Sequence, residues 1–275
     1  MPELPEVETI IRELRAARVI GSRITQARVL WPKTVAEPGP RAFSRQLAGR
    51  EILDISRRAK YIIITVSDGQ TLLIHLRMTG HLNILPPQTP PRRHDRLVLI
   101  LNSRQQIHFA DARKFGRAWL TRTPERYLAH LGPEPLTLIT ADFLHRLAGR
   151  SRQLKPLLLD QAFIAGLGNI YTDEALWIAR LHPCRRADTL SPAQAGALLR
   201  AIKQALRRGI RNLGTTLGDG KTNFVLPRGE RGRNQEQLNA YGQTGAPCPR
   251  CKTPIQRILV AQRATHLCPL CQTLP

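Results

Sequence analysis

The chain has 275 residues, 42% of them apolar, and 42 Lys plus Arg against 20 Asp plus Glu leave a formal charge of +22. That apolar content excludes a disordered basic tail, and the length suffices for one large or two ordinary domains, each with a core of its own. No apolar run reaches the ~18 residues of a membrane span, and the amino end is acidic where a secretion signal is basic. The sequence therefore reads as a soluble protein whose cationic surplus calls for a polyanion, nucleic acid before an acidic membrane surface.

The first predicted element is a helix. Val7, Ile10, Ile11 and Leu14 fall on one face, Pro5 suits the first turn, and Glu6 and Glu8 complement the helix dipole there. Short β-branched and apolar runs follow at 52–55, 61–66, 71–76, 97–101, 106–110 and 116–120, parted by turn residues such as Ser67-Asp68-Gly69 and Asn102-Ser103. Their spacing predicts an antiparallel sandwich or barrel. Residues 123–137, with Pro124, Gly132, Pro133 and Pro135, read as a linker.

Beyond the linker the periodicity turns helical, at 141–148, 154–160, 170–180 and 192–211. Ser191 caps the last of these, Pro192 opens it, and Leu198, Leu199, Ile202, Leu206 and Ile210 form its apolar stripe. Between two helices lies Ala165-Gly166-Leu167-Gly168-Asn169, a glycine-rich turn opening onto a helix N-terminus, where bare amides can hold a phosphate. Residues 212–240 carry Gly214, Gly218, Gly220, Gly229 and Gly232 among Lys221, Arg228, Arg231 and Arg233, and read as a mobile basic loop.

Cys248, Cys251, Cys268 and Cys271 form two Cys-x2-Cys pairs across a sixteen-residue gap. The spacing fits a tetrahedral all-thiolate zinc site, with the second pair arriving on the return strand of a hairpin. Four sulfurs leave no open position for water or for His266, so one structural zinc per chain is expected. Thiols that hold zinc point to a reducing compartment. Cys184 has no such partner and reads as a small side chain near a core.

The fold class is accordingly α+β and multidomain, with a sandwich domain over 2–122, a linker over 123–137, a helical region with a basic loop over 138–240 and a zinc ribbon over 241–275.

Met1-Pro2-Glu3-Leu4-Pro5-Glu6-Val7-Glu8 resembles the start of the formamidopyrimidine-DNA glycosylase family of bacterial base-excision repair. The resemblance recurs in Arg57-Arg58-Ala59-Lys60-Tyr61, His75-Leu76-Arg77-Met78-Thr79-Gly80, Asp111-Ala112-Arg113-Lys114-Phe115-Gly116, Leu131-Gly132-Pro133-Glu134-Pro135, Gly166-Leu167-Gly168-Asn169-Ile170-Tyr171 and Gln262-Arg263-Ala264-Thr265. It implies a helix-two-turns-helix within the helical region, DNA in a cleft between domains, and a bifunctional glycosylase and abasic-site lyase acting on oxidised purines. It also implies a monomer in the bacterial cytoplasm whose partner is damaged duplex DNA.

The same resemblance assigns roles. Pro2, freed by removal of Met1, is the nucleophile; Glu3 is the proton carrier; Lys60 and Arg263 serve the lesion phosphate and the eliminations; Glu6 supports the amine. Met78, Arg113 and Phe115 fill the gap left by an extruded nucleotide, and His94, Arg150, Lys155 and Asn169 make further phosphate or lesion-side contacts. Two departures from the family pattern stand out. Ala112 and Lys114 occupy positions where proline and arginine are common, and the loop after Leu217 differs in composition and length, which bears on lesion preference. The alternatives are an endonuclease VIII-like enzyme preferring oxidised pyrimidines, a non-catalytic zinc-stabilised DNA-binding protein, and an RNA-binding or ribosomal role.

Overall fold

Val7, Ile10, Ile11 and Leu14 are all buried along one side of α1 (Leu4–Ala16). The computed structural model describes residues 1–218 and 224–274, and the chain forms two units, Met1–Ala129 with Asn212–Arg233 and His130–Arg211 with Asn234–Pro275. The residues between 218 and 224, Gly220 and Lys221 of the anticipated basic loop among them, lie outside the described residues.

In the first unit α1 is followed by β1 (Ile24–Val29), β2 (Val35–Glu37), α2 (Pro40–Leu47), β3 (Ile52–Arg58), β4 (Tyr61–Val66), β5 (Gln70–His75), β6 (Gly80–Leu85), β7 (Asp95–Leu101), β8 (Gln106–Asp111), β9 (Arg117–Thr121) and the short α3 (Glu125–Leu128). The strands make a four-stranded sheet in the order β1-β7-β8-β6 and a five-stranded sheet in the order β2-β9-β5-β4-β3. Ile24, Phe43, Ile55, Ile64, Leu72, Leu99 and Phe109, drawn from both sheets and α2, share one core with the α1 stripe. Burial of each such side chain contributes about 1.5–3 kcal/mol relative to exposure. The sandwich is thus the anticipated one, with a single parallel pairing, β2 with β9, among antiparallel neighbours.

Three strands and the helix α2 of this unit escape the sequence patterns, and the one-turn α3 lies within the stretch read as a linker. A register shift between Ile24 and Gln26 breaks the two-residue period of β1, β2 has only three residues, and β6 begins with Gly80 and includes Asn83, both poor strand formers. The helix α2 buries only Phe43 and Leu47.

The segment after the long helix also departs from expectation. Residues 224–233 are anchored: Phe224 and Leu226 enter the sandwich core, the Ile84 amide donates to the Pro227 carbonyl at 2.8 Å, and the Arg233 amide donates to the Asn212 carbonyl at 2.8 Å. The Thr216 hydroxyl donates to the Phe224 carbonyl and accepts the Gly232 amide. Two buried apolar side chains fasten what composition reads as a mobile basic loop.

The second unit contains α4 (Thr140–Leu147), α5 (Leu154–Leu159), α6 (Asn169–Ala179), α7 (Pro192–Arg211) and the antiparallel hairpin β10 (Gln256–Val260) and β11 (Arg263–Leu267). Ser191 caps α7 as expected, its hydroxyl accepting the Gln194 amide. Gly209 lets α7 approach α6, since a Cβ there would lie 2.5 Å from the Tyr171 ring. The buried carboxylate of Glu174 on α6 accepts from the Arg208 guanidinium at 2.6 Å and from the amides of Asn239, Ala240 and Tyr241 at 2.8–3.0 Å, binding α7 and the approach to the hairpin together.

Candidate active site and nucleic-acid interface

In the first unit the amino terminus is held as the start of α1. The Glu3 amide donates to Glu6 Oε2 at 2.8 Å, a backward reach from the third helical residue that satisfies an otherwise orphaned donor. Pro2, Glu3 and Glu6 are buried, while Met1 is exposed. Burial lowers the pKa of the Met1 amine below its ordinary value; Glu3 and Glu6 pull it back up, and the positive charges of Lys60 and Arg113 push it down again. Five of the residues singled out in the sequence, Pro2, Glu3, Glu6, Lys60 and Arg113, therefore share one neighbourhood.

Lys60 occupies the turn between β3 and β4, buried, beside Ala59 in the left-handed region. The Arg57 guanidinium donates to the Ala59 carbonyl at 3.0 Å and to Glu8 Oε2 at 3.3 Å, tying this turn to α1. Burial alone raises the Glu8 carboxyl, but hydrogen bonds from Arg12 and Arg57 outweigh it and hold the group below the usual carboxylate range.

Met78, His94, Arg113 and Phe115 are all exposed on loops of the same unit. Met78 and Phe115, at 42% and 46% exposure, are large apolar side chains standing in solvent, as a wedge for a base stack requires. The Arg113 guanidinium lies over the Phe115 ring at 4.8 Å. Lys114, which with Ala112 departs from the pattern of the resemblance, sits over the Trp31 ring at 3.9 Å and so helps pin the loop. Burial, aided by the charges of Arg77 and Lys60, lowers His75 to about 3. Its neutral Nδ1 accepts the Arg77 amide at 3.0 Å and supports the turn that carries Met78.

In the second unit Arg263 is exposed and opens β11, after Ala261 and Gln262, both in the left-handed region. Its neighbour Ala264 is fastened from behind. The Ala264 carbonyl accepts from Lys155 Nζ at 2.9 Å and from Asn169 Nδ2 at 2.9 Å. Asn169 is half-buried at the start of α6, following Gly168, and Arg150 is exposed. Lys155 corrects the sequence reading. It is wholly buried, its ammonium 2.6 Å from Asp173, so it cannot face a phosphate; it braces the hairpin that bears Arg263. The other Asp173 oxygen accepts the His266 amide at 2.9 Å, and His266 packs edge-on to Tyr241 at 5.0 Å.

The sulfurs of Cys248, Cys251, Cys268 and Cys271 lie within 4.8 Å of one another, a donor set fitted to a zinc ion. Cys184, half-buried, stands apart from them. The ribbon is docked on α6: Arg250, between the first two cysteines, lies 3.8 Å from the Trp177 ring centroid and donates to the Trp177 carbonyl.

Comparison with known proteins follows the same division of the chain. Residues 1–118 match the formamidopyrimidine-DNA glycosylase N-terminal domain, 131–220 the H2TH domain of the same enzymes, and 245–274 the zinc finger found in FPG and IleRS. A formamidopyrimidine-DNA glycosylase of Protochlamydia amoebophila is 45% identical over 274 residues, covering 99% of both chains. The chain belongs to the formamidopyrimidine-DNA glycosylase family. A second family member, from Roseiflexus, is 47% identical over 99% of this chain and 100% of its own. A Lactococcus lactis FPG mutant in complex with Fapy-dG DNA superposes with a TM-score of 0.92 at 37% identity, over 99% of this chain and 100% of that one. A complex of L. lactis Fpg with abasic-site DNA gives 0.91 at 36% identity, over 98% and 99%. The family's zinc finger accounts for the four cysteines, which hold one structural zinc.

The sequence did not disclose the buried fasteners Asp111, Asp173 and Glu174. Each is an acidic residue inside an apolar or basic stretch of a +22 chain. That mismatch, a carboxylate where composition favours none, is a signal that could have marked them, and Asp111 also opens one of the motifs of the resemblance.

Proposed function

We propose that the protein is a bifunctional DNA glycosylase and abasic-site lyase of base-excision repair, removing oxidised purines such as 8-oxoguanine and formamidopyrimidines from duplex DNA. One observation carries this reading: Pro2 is buried beside Glu3 and Glu6, and the Met1 amine just before it is lowered in pKa by burial and by the charges of Lys60 and Arg113. Removal of Met1 leaves Pro2 as a secondary amine, and a lowered pKa keeps more of it unprotonated and nucleophilic near neutrality.

The Pro2 nitrogen adds to C1′ of the damaged nucleotide as the C1′–base bond breaks and the base departs with a proton. Glu3 delivers a proton to the sugar ring oxygen, the ring opens, and an iminium joins Pro2 to C1′. Loss of a C2′ proton sends an electron pair into this sink and the C3′–O bond breaks, releasing the 3′ phosphate. A second elimination breaks C5′–O. Lys60 grips the lesion phosphate and donates a proton in the first elimination; Arg263 holds a phosphate through the second. Glu6 acts through the backbone of Glu3. The zinc keeps the hairpin folded and takes no chemical part, its four positions being filled by thiolates.

Reaching C1′ requires the nucleotide to leave the stack at a cost of about a few kcal/mol. Phe115 wedges into the gap, Met78 occupies the vacated space, and Arg113 hydrogen-bonds the orphaned base, with cytosine favoured. His94, Arg150 and Asn169 add phosphate contacts. No helix among the described residues is long and apolar enough to cross a membrane, and the protein is read as a cytoplasmic monomer.

The L. lactis relative has been solved with Fapy-dG DNA and also with oxidised-pyrimidine DNA, so a lesion panel is the direct test. Base release and strand scission at 8-oxoguanine are expected. Excision of oxidised pyrimidines alone supports the endonuclease VIII-like alternative, and binding without scission of any lesion supports a non-catalytic protein.

A further inference from the structure

We propose that Asp111 is the positioning residue that holds the void-filling side chains as one rigid body, an inference that rests on Met78, Arg113 and Phe115 entering the emptied stack. Asp111 ends β8 and is 1% exposed. Its carboxylate joins two loops. Oδ1 accepts from the Thr79 hydroxyl at 2.5 Å and the Arg113 amide at 3.1 Å, and Oδ2 accepts from the Gly116 amide at 2.7 Å. Its backbone reaches a third: the Asp111 amide donates to the His94 carbonyl at 2.8 Å, and its carbonyl accepts from Arg96 Nε at 2.8 Å. The turn bearing Met78, the loop bearing Arg113 and Phe115, and the segment bearing His94 thus all end on one buried residue.

The Thr79 hydroxyl and the Arg113 and Gly116 amides all donate to this side chain, and a group that only accepts satisfies the three together. Asparagine keeps the shape but turns an NH2 toward one of those donors. The close approach of the Gly116 amide also explains that glycine, since a Cβ there would lie 2.4 Å from Phe109 Cζ and 3.2 Å from Asp111 Oδ2. Arg77 and Lys114, at φ 55° and 61°, hold their loops in the left-handed region, a conformation that persists only where the surroundings enforce it. A wedge fixed before binding loses less conformational freedom on insertion than a mobile one. Asp111 touches neither the base nor the sugar in this account; it acts through the backbone of the loops it ties.

Asp111→Asn and Thr79→Val test the proposal on three substrates. These are a duplex with 8-oxoguanine opposite cytosine or adenine, the same duplex with 2-aminopurine beside the lesion, and a single-stranded abasic oligonucleotide, which has no void to fill. Asp111→Asn is expected to slow duplex excision by about ten-fold or more, as loss of a buried charge-assisted bond does, to abolish the 2-aminopurine step and to compress the cytosine-over-adenine preference. Borohydride trapping on the single strand is expected to stay within about two-fold. Thr79→Val should move the same readouts by smaller factors, and it decides the matter if Asp111→Asn does not fold. Wild-type discrimination and fluorescence in the variants overturn the proposal, as does a parallel loss of single-strand trapping. Failure of the unmodified protein to trap or excise any lesion counts instead against the active-site reading.

Discussion

Glu6 ties Thr215 to the amino terminus: its Oε1 accepts the Thr215 amide and its Oε2 the Glu3 amide, each at 2.8 Å, across 209 residues of sequence in the first case. Gly214 makes the approach possible, since at φ +80° a Cβ would lie 3.1 Å from Glu6 Cγ and 2.8 Å from Phe224 Cε1. Glu6→Gln leaves one of the two acceptors. A lost hydrogen bond to a buried charged group costs about 1.5–3 kcal/mol, and the α1 start that carries Pro2 and Glu3 loosens with it. Denaturant melts should show a loss of that size and excision should fall by at least the same factor; an unchanged midpoint contradicts the role given to this carboxylate.

Lys155 separates a brace from a phosphate contact. Lys155→Ala strands the buried Asp173 carboxylate, for which a destabilisation of about 3–5 kcal/mol is expected. The slope of log K against log salt should stay at the wild-type value, whereas Arg150→Ala should reduce it by about 0.9, one phosphate's worth. A salt slope shifted equally by both variants returns Lys155 to the DNA surface.

The amine predicts a pH profile. Only the unprotonated form attacks, so trapping rises with pH through the amine pKa. Burial lowers the Met1 amine in this neighbourhood, and Pro2, itself buried there, is expected to follow, which puts the midpoint of the acid limb below the ~8 of an ordinary α-amine. Trapping rates on an abasic duplex from pH 5 to 9 check this. A midpoint at or above the ordinary value contradicts a buried amine.

Loss of zinc should dissect the two units functionally. Cys268→Ser removes a buried ligand, and metal analysis should then find the chain depleted of its zinc. Arg263 loses its hairpin, and the second elimination and duplex affinity should fall. Borohydride trapping on single-stranded abasic DNA, which uses Pro2, Glu3 and Lys60, should persist. Loss of that trapping in step with the zinc contradicts the separation.

The legible parts of this molecule are those where one local rule suffices. The α1 stripe, the Ser191 cap of α7 and the pairing of Cys248 with Cys251 need only helical spacing, a cap or a turn. What escaped needs partners distant in sequence. The strand β1 is bulged at Ile24 and Gln26, so its alternation fails. Phe224 and Leu226 sit in a glycine- and arginine-rich stretch, yet they are core residues because the sandwich lies beneath them. Lys155 matched a family contact position, but only three dimensions reveal Asp173 at 2.6 Å and the Ala264 carbonyl on its other side. Asp111 belonged to a recognised motif, and its five-fold tie to Thr79, Arg113, Gly116, His94 and Arg96 is visible only in the folded loops.

The most direct test is borohydride reduction during incubation with a duplex bearing 8-oxoguanine opposite cytosine, followed by peptide mapping of the adduct by mass spectrometry. The account predicts a covalent complex whose cross-link lies on Pro2 of a chain lacking Met1, abolished by Pro2→Gly or by retention of Met1. An adduct mapped to Lys60 or any other side chain, or base release with no adduct at all, contradicts it.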